Sequence, residues 1–219
     1  MDNRTLARVA VLASIPAIAL EPLTASAYFR TKDGKSSGDP SWIAAWSEPL
    51  QRHLHGLFSW DSADTVYLTY GKGFALAFAG MLAAVVLMRR AAPTAGTGRF
   101  GWAPKASLVA YSLALAGVFG EYWTPWTDQA FVGLSLPGIL LLFIVSPFLG
   151  VWMLRNRIGS RIGAWMIALT MLGIIGTTAL GGHLGFAVIY LSVAWMLNVR
   201  ALMHPVDMAL GAELATAKA

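Results

Sequence analysis

Two glutamates and a histidine are the residues of this sequence best suited to chemistry. Glu21 and Glu121 each end a row of small residues spaced three or four apart, and His183 ends a shorter row. Small residues on one helical face let helices pack closely, so these faces should point into a bundle. The longer rows are Ala7, Ala10, Ser14 and Ala17 before Glu21, and Ser107, Ala110, Ala114 and Gly117 before Glu121. We therefore predict a catalytic cluster of Glu21, Glu121 and His183, with carboxylate and imidazole as acid and base.

The same three side chains leave two other interpretations open. Two carboxylates and an imidazole are suitable ligands for zinc or iron, so Glu21, Glu121 and His183 are also a candidate metal site. No local metal-binding motif such as H-E-x-x-H accompanies them, and the sequence identifies no cofactor. In the third interpretation the cluster is architectural, and the glutamates only cap neighbouring backbone or pair with a lysine.

Lys72 and a group of aromatic residues are the candidate ligand-binding residues. Lys72 lies inside an apolar segment, where a charged residue usually faces the bundle interior or a cavity. We therefore expect Lys72 and Tyr70 to lie close to the glutamates. Tyr122, Trp123 and Trp126 follow Glu121 and offer flat aromatic walls for a hydrophobic or cationic ligand. Aromatic residues at this position are also typical of a membrane-interface belt.

Six apolar stretches must position these residues, and a helix of about 20 apolar residues crosses a bilayer. Hydrophobic residues make up 57% of the 219 residues, and charged residues only 12%. The sequence thus predicts an all-α, polytopic membrane helical bundle with six transmembrane helices. It forms a single integral membrane domain over residues 1–219. The predicted spans are residues 6–27, 66–88, 106–120, 131–154, 162–180 and 184–202.

Lysine and arginine residues are concentrated on one side of this bundle. They are Arg4 and Arg8, Arg89, Arg90, Arg99 and Lys105, Arg155, Arg157 and Arg161, and Arg200 and Lys218. Positive residues accumulate on the cytoplasmic side, which predicts a multi-pass protein of the cell membrane with both termini cytoplasmic. Residues 28–65 then form an outer loop and residues 206–219 a cytoplasmic tail. A cysteine introduced at Ser37 should be labelled from outside, and one at Ala95 should not.

The amino terminus has a second interpretation, as a signal peptide. Arg4 and Arg8 precede an apolar stretch, and Ala25-Ser26-Ala27 is typical of a signal-peptide cleavage site. Cleavage would leave five transmembrane helices. We favour a retained first helix, because its apolar stretch is longer than the core of a usual signal peptide.

The outer loop contains an amphipathic segment. Its apolar residues recur at near-helical spacing and are Trp42, Trp46, Leu50, Leu54 and Leu57. Such a pattern, rich in tryptophan, predicts an interfacial helix in the outer leaflet, kinked at Pro49. It would pack on the bundle as a lid, or act as a gate over a site open to lipid.

Three functions are compatible with these features. We favour a small membrane enzyme, or a protein that binds lipid or another hydrophobic ligand, with a polar pocket in the outer leaflet. A structural or assembly subunit of a larger membrane complex is the first alternative, and a proton- or ion-coupled carrier is the second. Beyond the lipid bilayer, the expected partners are a hydrophobic ligand, other membrane subunits or a second copy of the chain. The net charge of +5 is segregated by side, so no nucleic-acid partner is expected.

Overall fold

The computed structural model describes residues 1–36, 41–91 and 100–216, and for 204–216 the backbone alone. Helices make up almost all of these ranges, and no strand occurs in them. Five of the helical segments described are long and apolar enough to cross a membrane. They are Asn3–Tyr28, Ala63–Ala91, Ala103–Trp123, Thr127–Asn156 and Gly185–Met203. The prediction of an all-α polytopic bundle is confirmed.

The first span consists of two consecutive helices, α1 (Asn3–Leu12) and α2 (Ile15–Tyr28). Asp2 caps α1 by accepting a hydrogen bond from the Thr5 amide. The row of small residues that ends at Glu21 is buried along its length. The first span packs mainly against the long helix Ala63–Ala91. Residues 25–27, the candidate signal-peptide cleavage site, are buried in α2.

The long helix α6 (Ala63–Ala91) forms the centre of the bundle, since it contacts α1, α2, α7 (Ala103–Trp123) and α12 (Gly185–Thr216). The small residues of α7 that precede Glu121 are also buried, and Gly117 packs against Ser135 in the segment that follows α7. The indole nitrogen of Trp195 donates a hydrogen bond of 2.7 Å to the Tyr111 hydroxyl, which joins α12 to α7. The inward faces predicted for spans one and three are therefore the buried faces.

The helix α9 (Leu136–Asn156) and two shorter helices complete the bundle. The short helices, α10 (Arg161–Ala168) and α11 (Thr170–Gly181), bend by 79° at the break between them. Asn198 of α12 accepts a hydrogen bond from the amide just before α10, while Phe186 of α12 packs against the last residue of α11. These contacts are 12 residues apart on α12, about 18 Å of helix. The bent pair therefore runs alongside α12, and counted as one broken span it brings the helical segments long and apolar enough to cross a membrane from five to six.

The loop after α2 folds into three short helices, α3 (Lys32–Ser36), α4 (Ser41–His53) and α5 (His55–Phe58). The predicted amphipathic helix is present as α4 and α5, but it breaks at Leu54 and continues through Pro49. Trp46 packs edge-on against the ring of Phe29 at the end of α2 and against the ring of Phe186 at the start of α12. α4 thus covers one end of the bundle.

Some predictions fall outside the described residues. Ser37 and Ala95, the two labelling positions, lie in the ranges that the structure does not describe. α12 continues as a helix to Thr216, so most of the predicted cytoplasmic tail at 206–219 is helical. A short helix α8 (Thr127–Ala130) and a π-helical turn (Phe131–Ser135) join α7 to α9.

Candidate functional site

Glu21 and His183 form a buried pair where α2 meets the turn between α11 and α12. Oε1 of Glu21 lies 2.9 Å from Nδ1 of His183, and the two side chains are 0% and 7% exposed. Gly182 ends α11 in the left-handed conformation, with φ of 75°, which glycine adopts without strain. This turn directs His183 back into the bundle. Within the described residues it is the one ion pair.

The imidazole nitrogen of this pair has a second neighbour. Nδ1 of His183 lies 3.2 Å from the amide nitrogen of Gly185, and Oε2 of Glu21 is buried without a hydrogen-bond partner among the described side chains. A proton on Nδ1 is donated to Glu21, whereas an unprotonated Nδ1 accepts from Gly185 and from a protonated Glu21. The pair can therefore hold its proton on either residue, which general acid–base catalysis requires.

Two tyrosines continue the polar chain on the other side of the imidazole. The Tyr67 hydroxyl lies 3.4 Å from Nε2 of His183 and 2.8 Å from the Tyr122 hydroxyl. Tyr28 and Phe74 enclose the imidazole, with ring centroids 5.1 and 6.3 Å from its centre. The histidine is therefore held between aromatic rings and hydrogen-bonded at both nitrogens.

Glu121 ends this chain at the edge of a cavity. Its carboxylate interacts with the hydroxyl of Tyr122 and accepts a hydrogen bond of 3.4 Å from Ser135. Ser135 reaches it because Gly117 has no side chain, since a Cβ there would lie 2.3 Å from the Ser135 amide. The backbone carbonyl of Glu121 accepts from Thr127. Glu21, His183, Tyr67, Tyr122 and Glu121 thus form one connected polar chain.

The cavity beside this chain has a volume of about 370 Å³ and a lining of both polar and apolar residues. Glu121, Tyr122, Ser135, Asp128 and His183 belong to its polar lining. Its apolar lining includes Phe74, Phe78, Val118, Leu142, Ile174 and Leu191. None of the described residues that line it is a lysine or an arginine. The cavity is therefore amphipathic, and its polar lining carries acidic groups.

Lys72 and Tyr70 differ from their predicted positions. The Lys72 ammonium lies 5.1 Å from the ring centroid of Trp123, and the Tyr70 hydroxyl donates to the carbonyl of Leu57. The reason is helical rotation: Lys72 follows Gly71, which packs against Tyr122, so its side chain points about 100° away from the inward face.

The predicted aromatic residues separate into two groups. Tyr122 lines the cavity, whereas Trp123 and Trp126 are 50% and 68% exposed and do not line it. Trp123 does contact a cation, because the Lys72 ammonium lies over its ring. Consecutive helical residues point in different directions, which places Tyr122 inward and Trp123 outward.

The metal interpretation is not supported by this geometry. Within the described parts of the chain, no group of three or more histidine, aspartate or glutamate side chains is close enough to hold a metal ion. Glu21 and His183 are in contact, but Tyr67 and Tyr122 stand between them and Glu121. The three predicted ligands therefore belong to a connected polar chain and do not share one coordination point.

Four residues of the site were not predicted: Tyr28, Tyr67, Phe74 and Ser135. A signal existed for two of them, because Tyr67, Gly71, Phe74 and Phe78 follow the same four-three-four spacing as the small-residue rows. For Ser135 there was none. The π-helical turn that contains it changes the face on which the following residues lie, and this turn has no mark in the sequence.

The site described above is the basis for assigning a function, because a helical bundle hosts many unrelated activities. Its parts are a buried acid–base pair, two bridging tyrosines, a second carboxylate and an amphipathic cavity. Comparison with known protein families, curated proteins and solved structures finds no match to this chain.

Proposed function

We propose that this membrane protein binds an amphiphile in the cavity and acts on its polar end by acid–base chemistry. The observation that carries the proposal is the junction of a cavity of about 370 Å³ with the polar chain from Glu21 to Glu121. This volume is within the range of small-molecule sites, which are mostly apolar with a few polar groups that orient the ligand. An acyl or other hydrocarbon chain fits the apolar lining.

The charge of the cavity selects the polar end of the ligand. Glu121 and Asp128 line it, with no lysine or arginine among the described lining residues. A ligand with a cationic or hydrogen-bond-donating head group would complement these carboxylates, whereas an anionic head group would be repelled. We infer that the ligand is an amine or a hydroxyl compound with a hydrophobic tail.

The acid–base roles follow from the geometry of the polar chain. Glu121 meets the ligand as acid or base, because its carboxylate lines the cavity. His183 is its exchange partner, since its Nε2 points toward the tyrosine bridge that leads to Glu121. Glu21 orients His183 through Nδ1, as a carboxylate does in catalytic triads.

The site lies in the outer leaflet in this proposal. The one-sided lysine and arginine residues support cytoplasmic termini in the cell membrane, and Glu21, Glu121 and His183 then all lie at the outward ends of their spans. The α4 helix covers the same end, which supports a role as a lid that separates the cavity from the outer surface.

Two alternatives each have one observation in their favour. The connected chain from Glu21 to Glu121 would suit a proton-coupled carrier, but the other described residues that line the cavity are mainly apolar. A structural subunit would explain the exposed apolar side chains of α11, where Leu172 and Leu180 are 67% and 74% exposed. Surface of this kind also faces lipid in any membrane protein.

Binding of two matched probes tests the ligand assignment. A long-chain alkylamine and an alkyl alcohol of the same length are titrated against the purified protein in neutral detergent by calorimetry. We expect the amine to bind about tenfold more tightly, because a charge-assisted hydrogen bond to Glu121 replaces a neutral one. Glu121→Gln should abolish the preference, and Asp61→Asn, which changes an exposed carboxylate outside the cavity, should keep it. Equal binding of both probes to the native protein would contradict the proposal.

A second experiment separates an enzyme from a binding protein. Membrane lipids are incubated with the native protein or with His183→Gln, and their masses are compared by mass spectrometry. We expect a product that accumulates only with the native protein. A binding protein without activity would retain ligands and leave every mass unchanged.

A further inference from the structure

A second pocket lies between the end of α2 and the helices α4 and α5, apart from the cavity that holds Glu121. Its volume is about 370 Å³, and it is lined by Arg30, Glu48, Gln51, Arg52, His55 and Phe58. Arg30 and Arg52 carry guanidinium groups and His55 an imidazole, and Glu48 is the one acidic residue of this lining. The acid–base chain uses none of them, so this pocket needs its own explanation.

The walls of the pocket are held by hydrogen bonds to backbone carbonyls. Nη1 of Arg30 donates to the carbonyl of Phe58, and the guanidinium lies over the Phe58 ring with its carbon 6.0 Å from the centroid. Nε2 of Gln51 donates to the carbonyl of Ser26 at 3.1 Å. These contacts attach α4 and α5 to the end of α2 and fix the position of the Arg30 guanidinium.

The positive charges of this pocket are not neutralised within the described chain. Neither Arg30 nor Arg52 lies within 4.0 Å of a carboxylate in the described residues, although Glu48 lines the same pocket. Nδ1 of His55 contacts the Ser59 hydroxyl, which leaves Nε2 for a ligand. Two guanidinium groups and an imidazole around one cavity form a donor set for an oxyanion.

We propose that Arg30, Arg52 and His55 bind a phosphate group in this pocket. A tetrahedral phosphate has several acceptor oxygens, and guanidinium binds such groups through parallel hydrogen bonds. Its source is a phospholipid head group or free phosphate. Trp42, Leu57 and Trp60 on the surrounding loop are 55%, 44% and 49% exposed, and such residues insert into the membrane interface, where lipid phosphates lie.

The test measures both sources of phosphate with the full-length protein. Retention of phosphatidylglycerol is followed by native mass spectrometry from a neutral detergent, and binding of inorganic phosphate is followed by the width of its ³¹P resonance. We expect the double variant Arg30→Gln/Arg52→Gln to weaken the binding at least tenfold, because it removes charge-assisted hydrogen bonds. The control is Lys32→Gln/Lys35→Gln, which removes the same charge from exposed residues of the neighbouring helix α3 and should bind like the native protein.

Each outcome decides the proposal. Loss of phosphatidylglycerol binding alone in the arginine variant assigns the site to a lipid head group, loss of inorganic phosphate binding alone assigns it to free phosphate, and loss of both shows that the site accepts either source. Arg52→Gln alone keeps the Arg30 contact to Phe58, so weaker binding in this variant separates ligand loss from unfolding. The proposal is overturned if neither probe binds, or if the arginine and lysine variants behave alike.

Discussion

Gly185→Ala should destabilise the protein by acting directly on the Glu21–His183 pair. A Cβ at Gly185 would lie 2.0 Å from Oε2 of Glu21, whereas ordinary contact begins at 3.4 Å. The carboxylate must therefore retreat by about 1.4 Å. Its hydrogen bond to His183, now 2.9 Å long, would be broken by such a movement.

The magnitude follows from three contributions. Forcing an extra methyl group into a packed interior costs about 1–3 kcal/mol. Loss of a hydrogen bond between membrane helices adds about 1 kcal/mol. The higher helix propensity of alanine offsets up to about 1 kcal/mol. We expect the free energy of unfolding to fall by about 1–3 kcal/mol.

The assay is unfolding by sodium dodecyl sulfate in mixed micelles, followed by circular dichroism. Gly176→Ala is the matched control, because a Cβ at this glycine of α11 would meet nothing within 4 Å. The control should be as stable as the native protein, or more stable by up to about 1 kcal/mol.

A double variant shows whether the clash is with Glu21. In a Glu21→Ala background the carboxylate is absent, so adding Gly185→Ala should not destabilise the protein, and the helix propensity of alanine should stabilise it by up to about 1 kcal/mol. The reasoning is refuted if Gly185→Ala destabilises both backgrounds equally, or if it leaves the native background unchanged.

Three further predictions follow. The Thr5 amide holds the pKa of the exposed Asp2 carboxyl below its usual range, so the cap stabilises α1 at pH values above the unfolded-state pKa. This stabilisation is lost as the pH falls through the folded-state pKa. Protection of the Thr5 amide from hydrogen exchange should therefore fall in acid, and Asp2→Asn should remove this pH dependence. Asn198→Ala should destabilise by about 1–2 kcal/mol in the same unfolding assay, because the amide before α10 loses its partner. In this cysteine-free chain, an impermeant thiol reagent applied outside cells should label Asp61→Cys and not Asn156→Cys, and the opposite pattern would reverse the proposed topology.

The helices long enough to cross a membrane were predictable because the length of an apolar stretch is a local property. Most of the long apolar stretches became helical segments that extend a few residues beyond them, as in Ala63–Ala91 for the predicted span 66–88. The fifth span is the exception, since it bends by 79° between α10 and α11. No proline or charge interrupts this stretch, and the bend coincides with packing against Tyr190, whose hydroxyl donates to the carbonyl of Met166.

The site was predictable only in part. Periodicity identified the inward faces, so the positions of Glu21 and Glu121 on buried faces followed from spacing alone. Periodicity does not place a charged residue that points between faces, and Lys72 was therefore assigned to the cluster while it lies beside Trp123. It also gave no sign of Ser135, which depends on an irregular turn.

By itself the sequence determined the helices, their lengths and the faces that turn inward, because hydrophobicity and spacing act within one helix. Only the tertiary structure decided which inward groups meet. Glu21 and His183 are 162 residues apart, and their contact depends on the left-handed turn at Gly182 and on the space left by Gly185. The depth and rotation of each helix depend on how all the others pack, so the link through Tyr67 and Tyr122 could arise only in the assembled bundle.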